Sequence, residues 1–289
     1  AEDGIRDSVA SRGLGDVYKR QVADIAADSL ALAVEAAKTS ADKIIMCGVH
    51  FMAETAKLMN PTKKVFLPDM QAGCSLASSI TGKDVRLLKE KYPGVPVVSY
   101  VNTSADVKAE TDVCCTSANA VKVVESLNVD KVIFLPDQYL ADYVAKNTKV
   151  KIISWKGTCI VHEQFTGKEI EDIKNQNPGI KVIAHPECPP DVIEASDFAG
   201  STSGMVKYVK ENQPKKVMLV TECSMSDNVE ADNPNVSFIK PCNLCPYMKK
   251  INLEKILDCL KNDTNEIILD NKTIEAARKS VIRMTEIGR

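Results

Sequence analysis

Ten cysteines stand in a chain of 289 residues, and three of them, Cys74, Cys159 and Cys245, recur 85 and 86 residues apart. Each lies in a turn-like context: Ala72-Gly73-Cys74, Gly157-Thr158-Cys159 and Leu244-Cys245-Pro246. Three thiolates fall one short of the four ligands that close a structural zinc site. They suit an iron–sulfur cluster held at three irons, whose fourth iron stays open to bind substrate as a Lewis acid. Triplication of one core cysteine would leave the same spacing, because free Cys is among the most buried residue types. Three such residues converge only if the segments carrying them surround a common pseudo-threefold axis.

The 85-residue register also pairs polar residues, setting Tyr100 on His185, Asn102 on Glu187 and Ser117 on Thr202. Tyr100-Val101-Asn102 and His185-Pro186-Glu187 end apolar strands, and Ser117 and Thr202 begin helices. Tyr, His and Glu are types that move protons during condensation and dehydration. A helix start adds free amide donors and a positive dipole end, suited to carboxylate or phosphate. The plainer alternative is that Ser117 and Thr202 are ordinary N-caps and His185 a loop residue.

The elements that must position these residues read as α/β. Apolar runs at 43–46, 65–67, 95–99, 131–135, 150–154, 180–184 and 216–220 alternate with helical patterns, the signature of parallel sheets covered on both faces. Sliding the chain by 85 residues also matches Thr81-Gly82-Lys83 to Thr166-Gly167-Lys168, Pro93-Gly94 to Pro178-Gly179, and Asp106-Val107 to Asp191-Val192. Asp112 then falls on Asp197 and Lys131-Val132 on Lys216-Val217. Phe-Leu-Pro-Asp at 66 and 134 is a false match, since its spacing of 68 fits no other pair. Three copies of one unit follow. They are three pseudo-threefold-related αβα domains at 22–92, 93–177 and 178–260, with closing helices in 261–289. Residues 1–21 carry no hydrophobic period and are expected to lack the strand that should open the first copy, as a leader or foreign segment would.

Composition narrows the classes. Hydrophobic residues at 44% and charged residues at 26% describe a globular core, and the net charge of -2 carries no basic footprint for nucleic acid. No apolar run reaches the roughly 20 residues of a membrane span, and no signal-peptide core is present. A cytoplasmic chain with free thiols is the expectation.

At these residues the chain resembles quinolinate synthases. The motifs are Gly48-Val49-His50-Phe51-Met52-Ala53-Glu54-Thr55-Ala56-Lys57, Leu67-Pro68-Asp69 with Ala72-Gly73-Cys74, Tyr100-Val101-Asn102 and Thr116-Ser117-Ala118-Asn119-Ala120. His185-Pro186-Glu187-Cys188, Gly200-Ser201-Thr202-Ser203-Gly204-Met205 and Cys245-Pro246-Tyr247-Met248-Lys249 complete them. The resemblance implies a [4Fe-4S] cluster on Cys74, Cys159 and Cys245 with one open iron, central to the three domains. It implies condensation of iminoaspartate (iminosuccinate) with dihydroxyacetone phosphate to quinolinate, for NAD biosynthesis, coupled to an L-aspartate oxidase or dehydrogenase. Ser29, Asn102, Ser117 and Thr202 would hold carboxylates and phosphate, while Tyr100, His185 and Glu187 would orient substrate and shuttle protons.

One departure stands against it. The family's first strand ends His-Asn-Tyr, and the register counted back from Ser29 puts Arg12 and Leu14 where that His and Tyr belong. Two alternatives follow: an impaired cluster-binding remnant, or a different open-cluster hydro-lyase. Of the other cysteines, Cys242 forms Cys-x-x-Cys with Cys245 and reads as a spare ligand or disulfide partner. Cys47, Cys114, Cys115, Cys188, Cys223 and Cys259 default to core. His162, three residues after Cys159, fits either a supporting role beside the ligand or the surface, and His50 is unassigned.

Overall fold

The computed structural model describes residues 7–12, 22–27 and 29–288. The chain opens with β1 (Asp7–Arg12), β2 (Ile25–Ala27), α1 (Ser29–Lys38), β3 (Lys43–Met46), α2 (His50–Met59) and β4 (Lys64–Phe66). After α3 (Gly82–Lys91) come β5 (Val97–Tyr100), α4 (Ala105–Ala109), β6 (Val113–Cys115), α5 (Ala120–Ser126), β7 (Lys131–Leu135), α6 (Gln138–Lys146) and β8 (Lys151–Ser154). Following α7 (Gly167–Gln176) are β9 (Lys181–Ala184), α8 (Pro190–Ala195), β10 (Phe198–Ala199), α9 (Thr202–Asn212), β11 (Lys216–Val220), α10 (Ser224–Ala231) and β12 (Ser237–Ile239). Helices α11 (Leu253–Asn262) and α12 (Asn271–Ile287) end the described chain. None of the described helices is long and apolar enough to cross a membrane.

The strands form three four-stranded sheets ordered β2-β1-β3-β4, β6-β5-β7-β8 and β10-β9-β11-β12. Every strand pair is parallel. In each sheet the first strand of the segment lies between the second and the third, so connections leave it in opposite directions. Such a switch opens a crevice at the carboxyl ends of the two central strands, where open α/β sheets bind ligands. The expected α/β class with parallel sheets is what the chain adopts.

The opening strand corrects one expectation. Residues 1–21 were expected to supply no strand, yet β1 lies between β2 and β3, with Ala10 opposite both Ile25 and Met46. Its sequence, Asp-Ser-Val-Ala-Ser-Arg, has no apolar run; two parallel neighbours supply what propensity does not. β1 ends at Arg12, in the register of Tyr100 and His185, while Leu14 lies outside the described residues. β2, β10 and β12 were also not anticipated; each is a two- or three-residue edge strand. The false Phe-Leu-Pro-Asp match resolves topologically, because Phe66 ends an edge strand and Phe134 lies in a central one.

Most residues matched by the repeat turn out to be joints. Thr81 and Asp84 make a capping box at the start of α3, as do Thr166 and Glu169 at α7. Gly82 N–H donates to Asp106 Oδ2 at 2.9 Å and Gly167 N–H to Asp191 Oδ2 at 2.7 Å, linking each connecting helix to the sheet that follows. Asp112 accepts from Val97 N–H at 2.8 Å, and Asp197 from Val182 N–H at 2.9 Å. Gly94 and Gly179 take φ of 75° and 81°, the left-handed turn before the next strand. The first two sheets and α12 share one apolar core containing Phe66, Phe134, Val281 and Met284, whereas the third sheet buries its faces in separate clusters.

Gly82 and Gly167 allow no side chain. A Cβ there would stand 2.9 Å from Asp106 O and 2.8 Å from Asp191 O, both backbone atoms. Gly82→Ala and Gly167→Ala should each lower unfolding free energy by about 1–3 kcal/mol in denaturant melts.

Candidate active site

Each of the three spaced cysteines is followed by a single 3-10 turn, at Ala77–Ser79, His162–Gln164 and Met248–Lys250. In each case the Cys carbonyl accepts the amide four residues on, at 3.0, 3.0 and 3.3 Å. This shared turn explains why the cysteines keep register while their neighbours differ. All three are half-buried cysteines in the wall of one cavity, which encloses about 800 Å³ of empty space including its mouth. A single hydroxyl ties two of their loops. Ser75 Oγ donates to Thr158 O at 3.0 Å and accepts from Ile160 N–H at 3.1 Å, clasping the backbone on both sides of Cys159.

The same cavity is lined by Asn102, His162, His185, Glu187, Thr202 and Glu222. Tyr100 ends β5, and its hydroxyl donates to Glu187 Oε1 at 2.5 Å. His185 follows β9 and turns back, with Cys188 N–H donating to its carbonyl at 2.9 Å. That turn brings His185 Nδ1 to 3.6 Å from Glu187 Oε1. The His162 ring stacks on His185 at 4.8 Å and sets Nδ1 3.2 Å from Glu187 Oε2, with Nε2 2.9 Å from Thr221 Oγ1. Asn102 Oδ1 is buried without a hydrogen-bond partner among the described residues. Such a group costs about 1–3 kcal/mol until a ligand satisfies it.

Glu187 is the electrostatic centre. Burial pushes its carboxyl up, but the charges of His185 and His162, with the hydrogen bond from Tyr100, outweigh burial and hold it below the usual carboxylate range. Asp137 behaves oppositely. Burial, then the charge of Glu187, push it up to about 8, although the amides of Leu140, Tyr139 and Cys159 donate to it. Two acids in one interior thus divide into one anion and one neutral carboxylic acid. Burial and the charge of Glu187 also push the Cys159 thiol well up.

The remaining predicted residues fall unevenly. Thr202 begins α9 in the cavity wall, but the cap is Ser201, whose hydroxyl accepts from Gly204 N–H at 3.2 Å. Ser117 does not begin a helix: α5 starts at Ala120, and Thr116 N–H closes onto Asn119 Oδ1 at 2.8 Å. Ser117 instead reaches His185 Nε2 at 3.2 Å. The Ser29 side chain lies outside the described residues. Cys242 pairs with Cys223 in a disulfide, so Cys223 is not the plain core thiol expected and Cys242 does not pair with Cys245. Cys47, Cys114, Cys115, Cys188 and Cys259 are buried.

Known proteins supply the name for this arrangement. A family model described as quinolinate synthetase A protein matches residues 15–286. The chain belongs to the quinolinate synthase family. The quinolinate synthase of Sinorhizobium fredii is 61% identical over 266 residues, covering 92% of this chain and 74% of its own length. That of Xylella fastidiosa is 58% identical over 266 residues, covering 92% and 78%, and that of Caulobacter vibrioides 56% over 270, covering 92% and 74%.

In and around the cavity stand groups that sequence reasoning passed over. His162 was left between site and surface, and it is buried in the site. Cys159, His162 and Glu187 place their donor atoms within 4.8 Å of one another, a grouping able to hold a metal ion. Glu222 and Asp137 were missed outright, though a signal existed: they are 85 residues apart, each two residues beyond a central strand.

Asp137 yields a pH test. Its unfolded value is 3.8 and its folded value about 8, so the unfolded chain ionises first and stability falls as pH rises between those limits. Asp137→Asn keeps the acceptor for Leu140 N–H, 2.8 Å away, but has no proton to lose. Chemical denaturation from pH 5 to pH 8 should show the wild-type decline flattened in the variant.

Proposed function

We propose that the chain condenses iminoaspartate with dihydroxyacetone phosphate to quinolinate, releasing phosphate and, by mass balance, two waters. The observation that carries this reading is one cavity lined by three cysteines from separate segments together with a buried anion, Glu187, set among Tyr100, His162 and His185. Family membership supports it, since the Sinorhizobium fredii, Xylella fastidiosa and Caulobacter vibrioides relatives carry the name quinolinate synthase.

The donor set fits a [4Fe-4S] cluster: three cysteines line one cavity, and the rest of its lining offers polar groups and no fourth cysteine. Cys74, Cys159 and Cys245 would hold it, and its iron lacking a thiolate would supply Lewis acidity for dehydration. The three sheets are then read as pseudo-threefold units at 22–92, 93–177 and 178–260 around that centre, with the first sheet also taking in β1. Asn102, Ser117, Thr202 and Ser29 are assigned to the carboxylates and phosphate. The buried, partnerless Oδ1 supports this for Asn102; either orientation of the amide reaches a ligand. Glu187, ionised and holding the Tyr100 hydroxyl at 2.5 Å, accepts a proton beside a carbonyl or imine, and Tyr100 returns one at oxygen. His185, between Ser117 and Glu187, orients substrate and relays that proton. Iminoaspartate is the product of oxidising an amino acid, so an L-aspartate oxidase or dehydrogenase is the proposed supplier. Cytoplasmic residence belongs to the same proposal.

A second reading keeps the cluster and weakens the catalysis. β1 ends in Arg12 at the register of Tyr100 and His185, where the resemblance expects His. On this reading Arg12→His with Leu14→Tyr raises turnover.

Anaerobic loading with iron and sulfide, followed by a quinolinate assay, tests both. Glu187→Gln and Tyr100→Phe should retain iron and lose about 10²–10⁴ in turnover. Single Cys-to-Ser changes at 74, 159 and 245 should lose iron. Failure of the chelator-stripped wild type to take up iron and sulfide would overturn the cluster. The Ser75 clasp predicts faster loss of iron to chelator in Ser75→Ala, with Ser75→Thr restoring retention because it keeps the hydroxyl.

A further inference from the structure

The grouping of Cys159, His162 and Glu187 differs in chemistry from the three-cysteine set with which it shares one residue. Its donors are sulfur, nitrogen and oxygen, all within 4.8 Å of one another and nearly enclosed. His162 Nδ1 and Glu187 Oε2 are 3.2 Å apart. Two ligands at about 2.0–2.1 Å from a tetrahedral zinc stand roughly 3.3 Å apart, so this pair already has the spacing of a bound zinc edge.

Two further contacts fix the ring. Thr221 Oγ1 lies 2.9 Å from Nε2, and the His185 ring stacks at 4.8 Å, which together aim Nδ1 at the carboxylate. A hydrogen bond on the far nitrogen is how proteins orient a ligating imidazole. Nδ1 is also a buried atom whose approach to Glu187 lacks hydrogen-bond geometry. A metal has no such angular demand at the hydrogen. The thiolate and carboxylate neutralise a divalent ion, which removes the cost of burying charge. All three donors belong to residues lining the cavity that Asn102 and Thr202 also line, so water in that cavity would complete the coordination.

We infer that the cluster-free chain binds one zinc ion through Cys159 Sγ, His162 Nδ1 and Glu187 Oε2, and that this zinc and the iron–sulfur cluster exclude each other at Cys159. Binding releases the thiol proton to solvent and involves no redox step. The exclusion rests on the cluster reading; the zinc site does not.

The test uses the full chain, stripped with chelator and kept reduced, titrated with zinc against a chromophoric competitor. One equivalent should bind. Cys159→Ser, His162→Ala and Glu187→Gln should each weaken it at least about 10-fold, with far-UV circular dichroism and thermal melts confirming the fold. Cys74→Ser, Cys245→Ser and Cys242→Ser should leave it unchanged. Cobalt in place of zinc should show the charge-transfer intensity of one thiolate. Zinc-loaded protein should refuse iron and sulfide until the zinc is removed. Equal weakening by Cys74→Ser and Cys245→Ser, with none from His162→Ala, would overturn the site. A full cluster assembling with zinc still bound would overturn the exclusion. A stripped wild type that takes no cluster but binds zinc in this pattern would sink the cluster reading alone.

Discussion

A buried carboxylate that stays ionised constrains everything around it. Glu187 is 2% exposed, and burying an anion without compensation costs several kcal/mol. Compensation comes from Tyr100 at the end of β5, His162 beyond the Cys159 turn and His185 beyond β9. These groups belong to different sheets and to the loop joining them, so the charge is satisfied only when those segments are assembled together. The same requirement decides the state of Asp137. With one anion fixed, a second carboxyl near it must stay protonated, and burial already favours that form.

Holding such a site demands joints stiffer than the loops that carry the chemistry. The capping boxes at Thr81 and Thr166, the Gly–Asp hydrogen bonds and the left-handed turns at Gly94 and Gly179 set where each connecting helix leaves one sheet and enters the next. Ser75 does the equivalent at short range, because its hydroxyl binds the backbone flanking Cys159 while its own main chain adjoins Cys74. Any error in the placement of one cysteine turn is thereby shared with a second.

Much of this was legible in the sequence, for physical reasons. Central strands such as 43–46, 131–135 and 216–220 are apolar runs because both faces are covered, so their limits match the observed strands. Cysteines at equal spacing converge because each opens the same 3-10 turn. Edge strands of two or three residues left no pattern, and β1 forms from a polar segment held between two neighbours. Ser117 illustrates a subtler loss. Its match to Thr202 is sound as register, but one segment closes onto Asn119 before its helix and the other enters the helix directly. His162 could not be placed, since its position depends on contacts with Thr221 and Glu187 about 60 and 25 residues away.

The repeat is informative where its copies agree and more so where they differ. Two residues beyond β7 and β11 stand Asp137 and Glu222, whereas the pairing of Ala10 with Met46 brings Val49 to that register in the first sheet. Three residues beyond the cysteines stand Ala77, His162 and Met248. Three copies of a carboxylate, or of an imidazole, could not all carry charge in one interior. Thiolates gathered on a cationic cluster can recur in every copy, because the metal offsets their charge. The three cysteines keep the register of the repeat, and the buried carboxylates and imidazoles break it.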